Sequence, residues 1–138
     1  MIVLDSDILA LVGRGHLPVI ERISGATEIV ATTVITRIEF LRGRFDYLLK
    51  ASDGEQLQRA QQWLMQSERD LRRFVILPID STVAAVFDRM RQNKKLRKIG
   101  RADLLIACIV LAHRGTLVTR NVRHFREIPG LQVQNWAD

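Results

Sequence analysis

The sequence predicts an α/β fold, a three-layer α/β/α sandwich built on a parallel sheet of four or five strands. Short apolar runs alternate along the chain with longer stretches of helical periodicity, and this order of elements is typical of parallel sheets. The first run, IVL at residues 2–4, is apolar throughout, as expected of a strand covered by helices on both faces. With 138 residues, 47% of them hydrophobic, the chain is long enough to bury a core. We expect a single domain over residues 1–138.

Five apolar, β-branched runs bounded by turn or cap residues are predicted strands. They are IVLD at 2–5, EIVA at 28–31, FVILPI at 74–79, TLVT at 116–119 and LQV at 131–133. The spacing of apolar residues between these runs predicts helices near 6–12, 17–24, 33–49, 55–73, 80–96 and 101–114. The polar break ASDG at 51–54 indicates the turn of a helical hairpin, not a domain boundary.

Cysteine content and hydropathy exclude two classes of protein. The only cysteine, Cys108, lies inside the apolar run LLIACIVLA, so the chain has no disulfide framework and a reducing cytoplasm suits it. The longest apolar run, residues 104–112, is about half of the roughly 18 residues that a membrane span needs. The start of the chain lacks the basic region of an export signal. We therefore expect a cytoplasmic protein with no membrane partner.

The charge of the chain points to nucleic acid as a partner. The 21 Lys and Arg residues outnumber the 15 Asp and Glu residues, giving a net charge of +6 and a pI near 10.4. The basic residues concentrate in DRMRQNKKLRKIGR and in TRNVRHFR. Such clustering is typical of nucleic-acid-binding proteins, although a solvated helix face can have the same composition.

Two aspartates, Asp5 and Asp7, follow the first predicted strand. In parallel sheets, ligands bind at the carboxyl ends of the strands, which is where Asp5 is predicted to lie. Asp7 stands where an acidic residue ordinarily caps the following helix. Asp5 is therefore the stronger candidate for a site.

Three later polar residues stand out by where the predicted helices and strands place them. Glu39 lies on the inward edge of a helix that begins after a threonine cap. Asp103 heads an apolar stripe, because the residues three, four, seven and eight positions beyond it are all apolar. An N-cap is the alternative role for Asp103. Asn121 comes shortly after the strand TLVT.

Grouping these carboxylates in a buried site requires a compensating charge. Two carboxylates about 4 Å apart repel by about 4 kcal/mol at an effective dielectric constant of 20. Either their pKa values rise or a divalent cation neutralises them. The chain contains no His and Cys set with zinc spacing, so Mg²⁺ or Mn²⁺, which prefer oxygen ligands, is the expected cofactor.

The sequence resembles the PIN-domain ribonucleases, and in particular the VapC-type toxins of toxin–antitoxin pairs. The likeness rests on four motifs in the family's order. They are MIVLDSDIL with Asp5, ITRIEFLRG with Glu39, KIGRADLLIACIVLA with Asp103 and LVTRNVRHFREIPGL with Asn121. The resemblance implies that these four residues are catalytic and that Asp5, Asp103 and Glu39 hold the metal ion.

Two positions depart from the family's pattern. The family usually places threonine and then asparagine after its first aspartate, whereas this chain has Ser6 and Asp7. Many relatives have an aspartate where this chain has Asn121, so we expect a second metal to bind weakly or only together with RNA.

The resemblance implies an endoribonuclease that hydrolyses RNA phosphodiester bonds with Mg²⁺ or Mn²⁺. Ser6, Arg101, Arg120 and Arg123 are candidates for contacts with the substrate. His124 is a candidate general acid, with a structural role beside Phe125 as the alternative. The motifs do not indicate which RNA is cut.

As a toxin, the protein is expected to bind a cognate antitoxin in its acidic cleft and to form a homodimer. The helical hairpin around QLQRAQQWLMQSERDLRRF is a candidate partner surface, with packing onto its own domain as the alternative. Its apolar residues at helical spacing are Leu57, Ala60, Leu64 and Leu71.

Two other functions are compatible with parts of the sequence. DSD after a first strand also resembles haloacid-dehalogenase-type phosphatases, in which Asp5 would be the nucleophile and Asp7 the general acid. Leu9 does not fit that pattern, and Glu39 and Asp103 would have no role in it. The other alternative is a non-catalytic RNA-binding PIN-like protein, against which the retention of three acidic residues argues.

Overall fold

A five-stranded parallel sheet forms the centre of the protein, as a computed structural model describes it over residues 1–138. The strand order is β3-β2-β1-β4-β5, so the first strand is the central one, with β2 and β4 as its neighbours. The strands are β1 (Ile2–Leu4), β2 (Val30–Thr33), β3 (Val75–Leu77), β4 (Thr116–Val118) and β5 (Gln132–Gln134). The predicted α/β class and parallel sheet are confirmed.

Seven α-helices surround the sheet. They are α1 (Ser6–Gly13), α2 (Leu17–Ser24), α3 (Val34–Leu49), α4 (Gly54–Leu71), α5 (Ser81–Met90), α6 (Arg101–Ala112) and α7 (Val122–Phe125). The helix predicted near 80–96 is wrong at its end, because α5 stops at Met90 and a separate 3-10 turn covers Lys94–Leu96. Asn93 has an extended backbone, and its side chain accepts the Lys95 N–H, which starts the new turn. The four-residue helix α7 is too short for periodicity to indicate.

Neither Asp7 nor Asp103 is a helix N-cap, the ordinary role that the sequence suggested for each of them. Asp5, not Asp7, is the N-cap of α1, and its side chain accepts the N–H of Ser6. Gly100 is the N-cap of α6, so Asp103 lies within the first turn and does not cap the helix. The capping alternatives for Asp7 and Asp103 are therefore wrong.

Two apolar cores lie on opposite faces of the sheet, because successive side chains of a strand point to opposite sides. Val3 of β1 belongs to the larger core, which contains residues of α5, α6 and α7. Ile2 and Leu4 belong to the smaller core, which contains residues of α1, α2, α3 and α4. None of the helices has the length and apolar character that crossing a membrane would require.

The helices α3 and α4 pack against each other as the predicted hairpin. Of the apolar residues proposed as a partner surface, Ala60 and Leu71 are buried, whereas Leu57 is exposed. The Arg44 guanidinium lies 3.9 Å from the ring centroid of Trp63 on the other helix. Packing within the chain therefore accounts for part of the apolar stripe.

Candidate active site

The candidate active site lies at the carboxyl edge of the sheet, at the ends of the central strand and its neighbour. Leu4 of β1 pairs with Val118 of β4, so Asp5 and Thr119 leave the sheet side by side. Glu39 is on α3, the helix that follows β2, and Asp103 is in the first turn of α6.

Asp5 is only 8% exposed. One carboxylate oxygen, Oδ1, accepts the Ser6 N–H at 2.8 Å, and Oδ2 accepts the Thr119 hydroxyl at 2.8 Å. Burial, together with the negative charges of Asp7 and Asp103, raises the pKa of Asp5 to about 6, while the two hydrogen bonds oppose the shift. The carboxylate is thus oriented by neutral donors, which leave its negative charge without a partner cation.

Glu39 and Asp103 contribute to the same electrostatic environment. Burial raises the pKa of the half-buried Glu39, and the negative charges of Asp5 and Asp103 act in the same direction. The positive charge of Arg42 opposes this shift. Asp5 and Asp103 therefore both act electrostatically on Glu39.

Asp103 has a partner that the sequence motifs did not indicate. His124 Nε2 lies 3.0 Å from Asp103 Oδ2, and both side chains are about one-third exposed. The His124 ring also packs edge-on against Phe125, with 5.3 Å between ring centroids. The structure therefore places His124 both beside Phe125, as the structural alternative required, and in contact with the acidic site. The general-acid role of His124 stays a prediction.

Thr119 joins the end of β4 to the site and was not among the predicted site residues. It is fully buried, donates to Asp5 and accepts the N–H of Asn121 at 3.1 Å. The only signal in the sequence is its position as the last residue of the TLVT run. That signal becomes informative once β4 is known to lie beside β1.

Asp7 binds the backbone of the same loop. Its Oδ2 accepts the Arg120 N–H at 2.9 Å, whereas its Oδ1 is buried and has no hydrogen-bond partner. Burial raises the pKa of Asp7, and the Arg120 N–H opposes that shift. Asp7 therefore fixes the loop after β4 and leaves one unsatisfied oxygen inside the site.

The predicted substrate-binding residues lie around this cluster without touching its carboxylates through their own side chains. Ser6 contacts Asp5 through its backbone N–H. The Arg101 guanidinium lies over the Phe87 ring, 5.2 Å from its centroid. Arg120 and Arg123 are exposed, and Asn121 is exposed at the start of α7.

The donor set suits a hard divalent cation. Asp5, Asp7 and Glu39 take part in no salt bridge, so no basic side chain pairs directly with them. As the side chains stand, no three His, Cys, Asp or Glu residues are arranged to hold an ion together. Mg²⁺ commonly uses one or two carboxylates and keeps several waters, so a complete protein cage is not required. The three-ligand set predicted from the sequence stays a prediction.

Two ribonucleases are similar to the chain over short segments. The chain is 50% identical over 38 residues to ribonuclease VapC2 of Rickettsia felis, which is 28% of each chain. It is 44% identical over 45 residues to ribonuclease VapC1 of Haemophilus influenzae, which is 33% of this chain and 34% of the relative. The aligned segments thus span about a third or less of these relatives.

Solved structures match over nearly the whole chain. VapBC2 of Rickettsia felis, bound to a DNA fragment from its promoter, aligns with a TM-score of 0.77 and 25% identity over 99% of both chains. VapBC-1 of nontypeable Haemophilus influenzae aligns with a TM-score of 0.78 and 26% identity over 100% of both chains. A toxin–antitoxin complex from Klebsiella pneumoniae aligns with a TM-score of 0.68 and 25% identity over 99% of this chain and 98% of that chain.

The family model of the PIN domain matches residues 2–131, a range that includes Asp5, Glu39, Asp103 and Asn121. This match agrees with the resemblance found in the motifs and with the fold of the solved relatives. The chain therefore belongs to the PIN domain family.

Proposed function

We propose that this protein is a metal-dependent endoribonuclease that hydrolyses RNA phosphodiester bonds and acts as the toxin of a type II toxin–antitoxin pair. The observation that carries the proposal is an acidic site at the carboxyl edge of the sheet, where Asp5 is buried without a cationic partner. Burial raises the pKa of Glu39 there, and the negative charges of Asp5 and Asp103 raise it further. The names of the relatives, which are ribonucleases, support the reaction class.

In this proposal, Asp5, Glu39 and Asp103 hold Mg²⁺ or Mn²⁺, and Asn121 supplies an amide at the fourth position. When bound, such an ion would polarise a phosphoryl oxygen and would lower the pKa of a water molecule, so that the water can lose a proton and attack phosphorus as hydroxide. Thr119 and Ser6 orient the Asp5 carboxylate, and His124 orients that of Asp103. Contacts that fix a ligand in this way commonly strengthen metal binding.

The proposed partners follow from the solved relatives, which include a toxin–antitoxin complex. We expect a cognate antitoxin to cover the acidic cleft, two copies of the chain to form a homodimer, and the pair to act in the cytoplasm. Expression of the chain alone should arrest growth, and co-expression of its cognate antitoxin should restore it. Normal growth without any inhibitor would favour a housekeeping nuclease.

The decisive experiment is a cleavage assay with purified protein. Structured and single-stranded RNA are incubated with Mg²⁺, Mn²⁺ or EDTA, and Asp5→Asn and Asp103→Asn variants serve as controls. We expect cutting only with a divalent ion and only with both aspartates intact. Absence of cutting under every condition would support the non-catalytic RNA-binding alternative, and cutting by either variant would overturn the proposed site. Sequencing the 5′ ends of the fragments then identifies the RNA.

A further inference from the structure

A strongly basic segment runs from the end of α5 to the first residue of α6, the helix whose first turn carries Asp103. This basic segment, residues 89–101, contains seven Lys or Arg residues among its thirteen and no Asp or Glu. It holds one third of the 21 basic residues of the chain. None of the cleavage chemistry proposed above explains this concentration of charge.

The basic segment is anchored to the protein. Leu96 and Ile99 are buried in the larger core, with 3% and 8% exposure. The Asn93 side chain starts the 3-10 turn between α5 and α6. Because these residues fix the backbone, the basic side chains are presented at the surface, where all seven are exposed.

Nearly all of this charge lacks an acidic partner. Arg91 pairs with Asp88, at 3.3 Å between Nε and Oδ1, and no other basic residue of the segment forms a salt bridge. An ordinary solvated helix face carries both signs of charge. The basic segment instead presents a surface of one sign, which attracts a polyanion and whose own repulsion is relieved by binding one.

The basic segment exposes no large hydrophobic residue, which favours nucleic acid over a protein as its partner. Protein interfaces rely on exposed aromatic or aliphatic residues as anchors. The exposed large hydrophobic residues of this chain all lie outside residues 89–101. The basic segment also contains no aromatic residue on which a base could stack. Contact with backbone phosphates, independent of base sequence, is what remains.

The position of the basic segment relates it to the candidate active site. Its last residue, Arg101, is two positions before Asp103 in the first turn of α6. A second set of basic residues, Arg120, Arg123 and Arg126, flanks His124 in the sequence, and His124 contacts Asp103. An acidic site repels RNA, so a basic surface next to it is needed to make approach favourable.

We propose that the basic segment, chiefly Lys94, Lys95, Arg97 and Lys98, binds the phosphate backbone of RNA and delivers it to the carboxylate site. This inference rests on the proposed function for its substrate class. Phosphate contacts position a nucleic acid without reading its sequence. Sequence preference must then arise outside the basic segment.

The test compares two triple variants that remove the same charge. Lys94, Lys95 and Lys98, all exposed and without side-chain hydrogen bonds, are replaced by Gln. The control replaces Lys50, Arg59 and Arg69 of the helical hairpin, which are also exposed. Binding of a labelled 20-nucleotide single-stranded RNA is measured in EDTA, which prevents cutting, from about 50 to 300 mM salt. Thermal melting verifies that each variant is folded, and an Arg89→Gln/Arg97→Gln variant provides a second perturbation of the segment.

Each phosphate contact to single-stranded nucleic acid contributes about 0.7 to the slope of log affinity against log salt. Loss of three contacts should lower the slope by about 2 and weaken binding at about 150 mM salt roughly tenfold or more. The control variant should retain the slope. Equal slopes for the two triple variants, or no RNA binding by the unchanged protein, would overturn the inference. If the protein cuts RNA but the basic segment does not contribute to RNA binding, only this inference fails and the nuclease proposal stands. If the segment binds RNA but no cleavage occurs, only the nuclease proposal fails.

Discussion

The Thr119 hydroxyl donates a 2.8 Å hydrogen bond to Asp5 Oδ2, joining two buried residues that are 114 positions apart. The contact depends on the parallel pairing of β1 and β4, in which the Asp5 N–H donates to the carbonyl of Val118. Because Asp5 has no cationic partner, this hydroxyl is one of only two donors that stabilise its charged form. The site therefore depends on a residue outside the acidic set.

Replacing Thr119 by Val tests this dependence, since the two side chains have nearly the same shape. A buried carboxylate oxygen left without its donor should cost about 1 to 3 kcal/mol of unfolding free energy. We expect cleavage to fall about 10- to 100-fold, as for other contacts that orient a metal ligand. Thr119→Ser keeps the hydroxyl and should retain most activity. Full activity in Thr119→Val would show that the hydrogen bond is dispensable.

The pH dependence of stability should reveal the buried carboxylate of Asp5. Its pKa is raised from 3.8 to about 6 in the folded protein, chiefly by burial. The folded state therefore binds the Asp5 proton more tightly than the unfolded state. In EDTA, the contribution of Asp5 protonation to the unfolding free energy increases as the pH falls from about 7 to about 4. The contribution reaches about 3 kcal/mol, because one pKa unit corresponds to about 1.4 kcal/mol.

Asp5→Asn isolates this effect. At pH 7.5 in EDTA, the variant should be more stable than the unchanged protein in urea unfolding. The difference between the two should shrink toward pH 5, where the unchanged Asp5 becomes protonated. A difference that stays constant between pH 7.5 and 5 would contradict the raised pKa.

Asp7→Asn distinguishes a PIN nuclease from the phosphatase alternative. The amide oxygen of the introduced asparagine can still accept the Arg120 N–H, and the substitution removes a negative charge that raises the pKa of Asp5. We expect the rate of RNA cleavage to stay within about threefold of that of the unchanged protein. Asp7 would only position the loop in a PIN nuclease, so replacing it should remove little stabilisation of the transition state. A phosphatase would lose turnover by orders of magnitude, because Asp7 would be its general acid. If the unchanged protein hydrolyses a phosphomonoester and Asp7→Asn does not, the phosphatase alternative is favoured.

His124 should affect metal affinity through its contact with Asp103. His124→Leu removes the partner of Asp103 Oδ2, whereas His124→Gln can still donate a hydrogen bond. We expect the Mg²⁺ concentration for half-maximal cleavage to rise about tenfold or more in the Leu variant and less in the Gln variant. His113→Gln, at the other end of α6, is the matched control. If the maximal rate falls at saturating metal in both His124 variants, the ring has a direct role such as that of a general acid.

Much of the fold and part of the site could be predicted from the sequence because they depend on local pattern. Apolar runs and helical spacing locate all five strands and six of the seven helices. Asp5 is recognisable because it follows the first strand, and Asp103 because it lies in the first turn of a helix. Glu39 is recognisable because it lies on the inward edge of the helix after β2. The break after Met90 is not predictable from apolar periodicity, since it depends on the Asn93 side chain accepting the Lys95 N–H.

Only the tertiary structure decided which neutral and basic groups surround the carboxylates. Thr119 reaches Asp5 because β4 pairs with the central strand, and a strand order is not encoded in the pattern of any single strand. Asp7 binds the Arg120 backbone, and His124 meets Asp103, for the same reason: each contact joins segments that are distant in the chain. Local preference determines where a helix or strand forms, whereas contacts of this kind depend on how all the elements pack together.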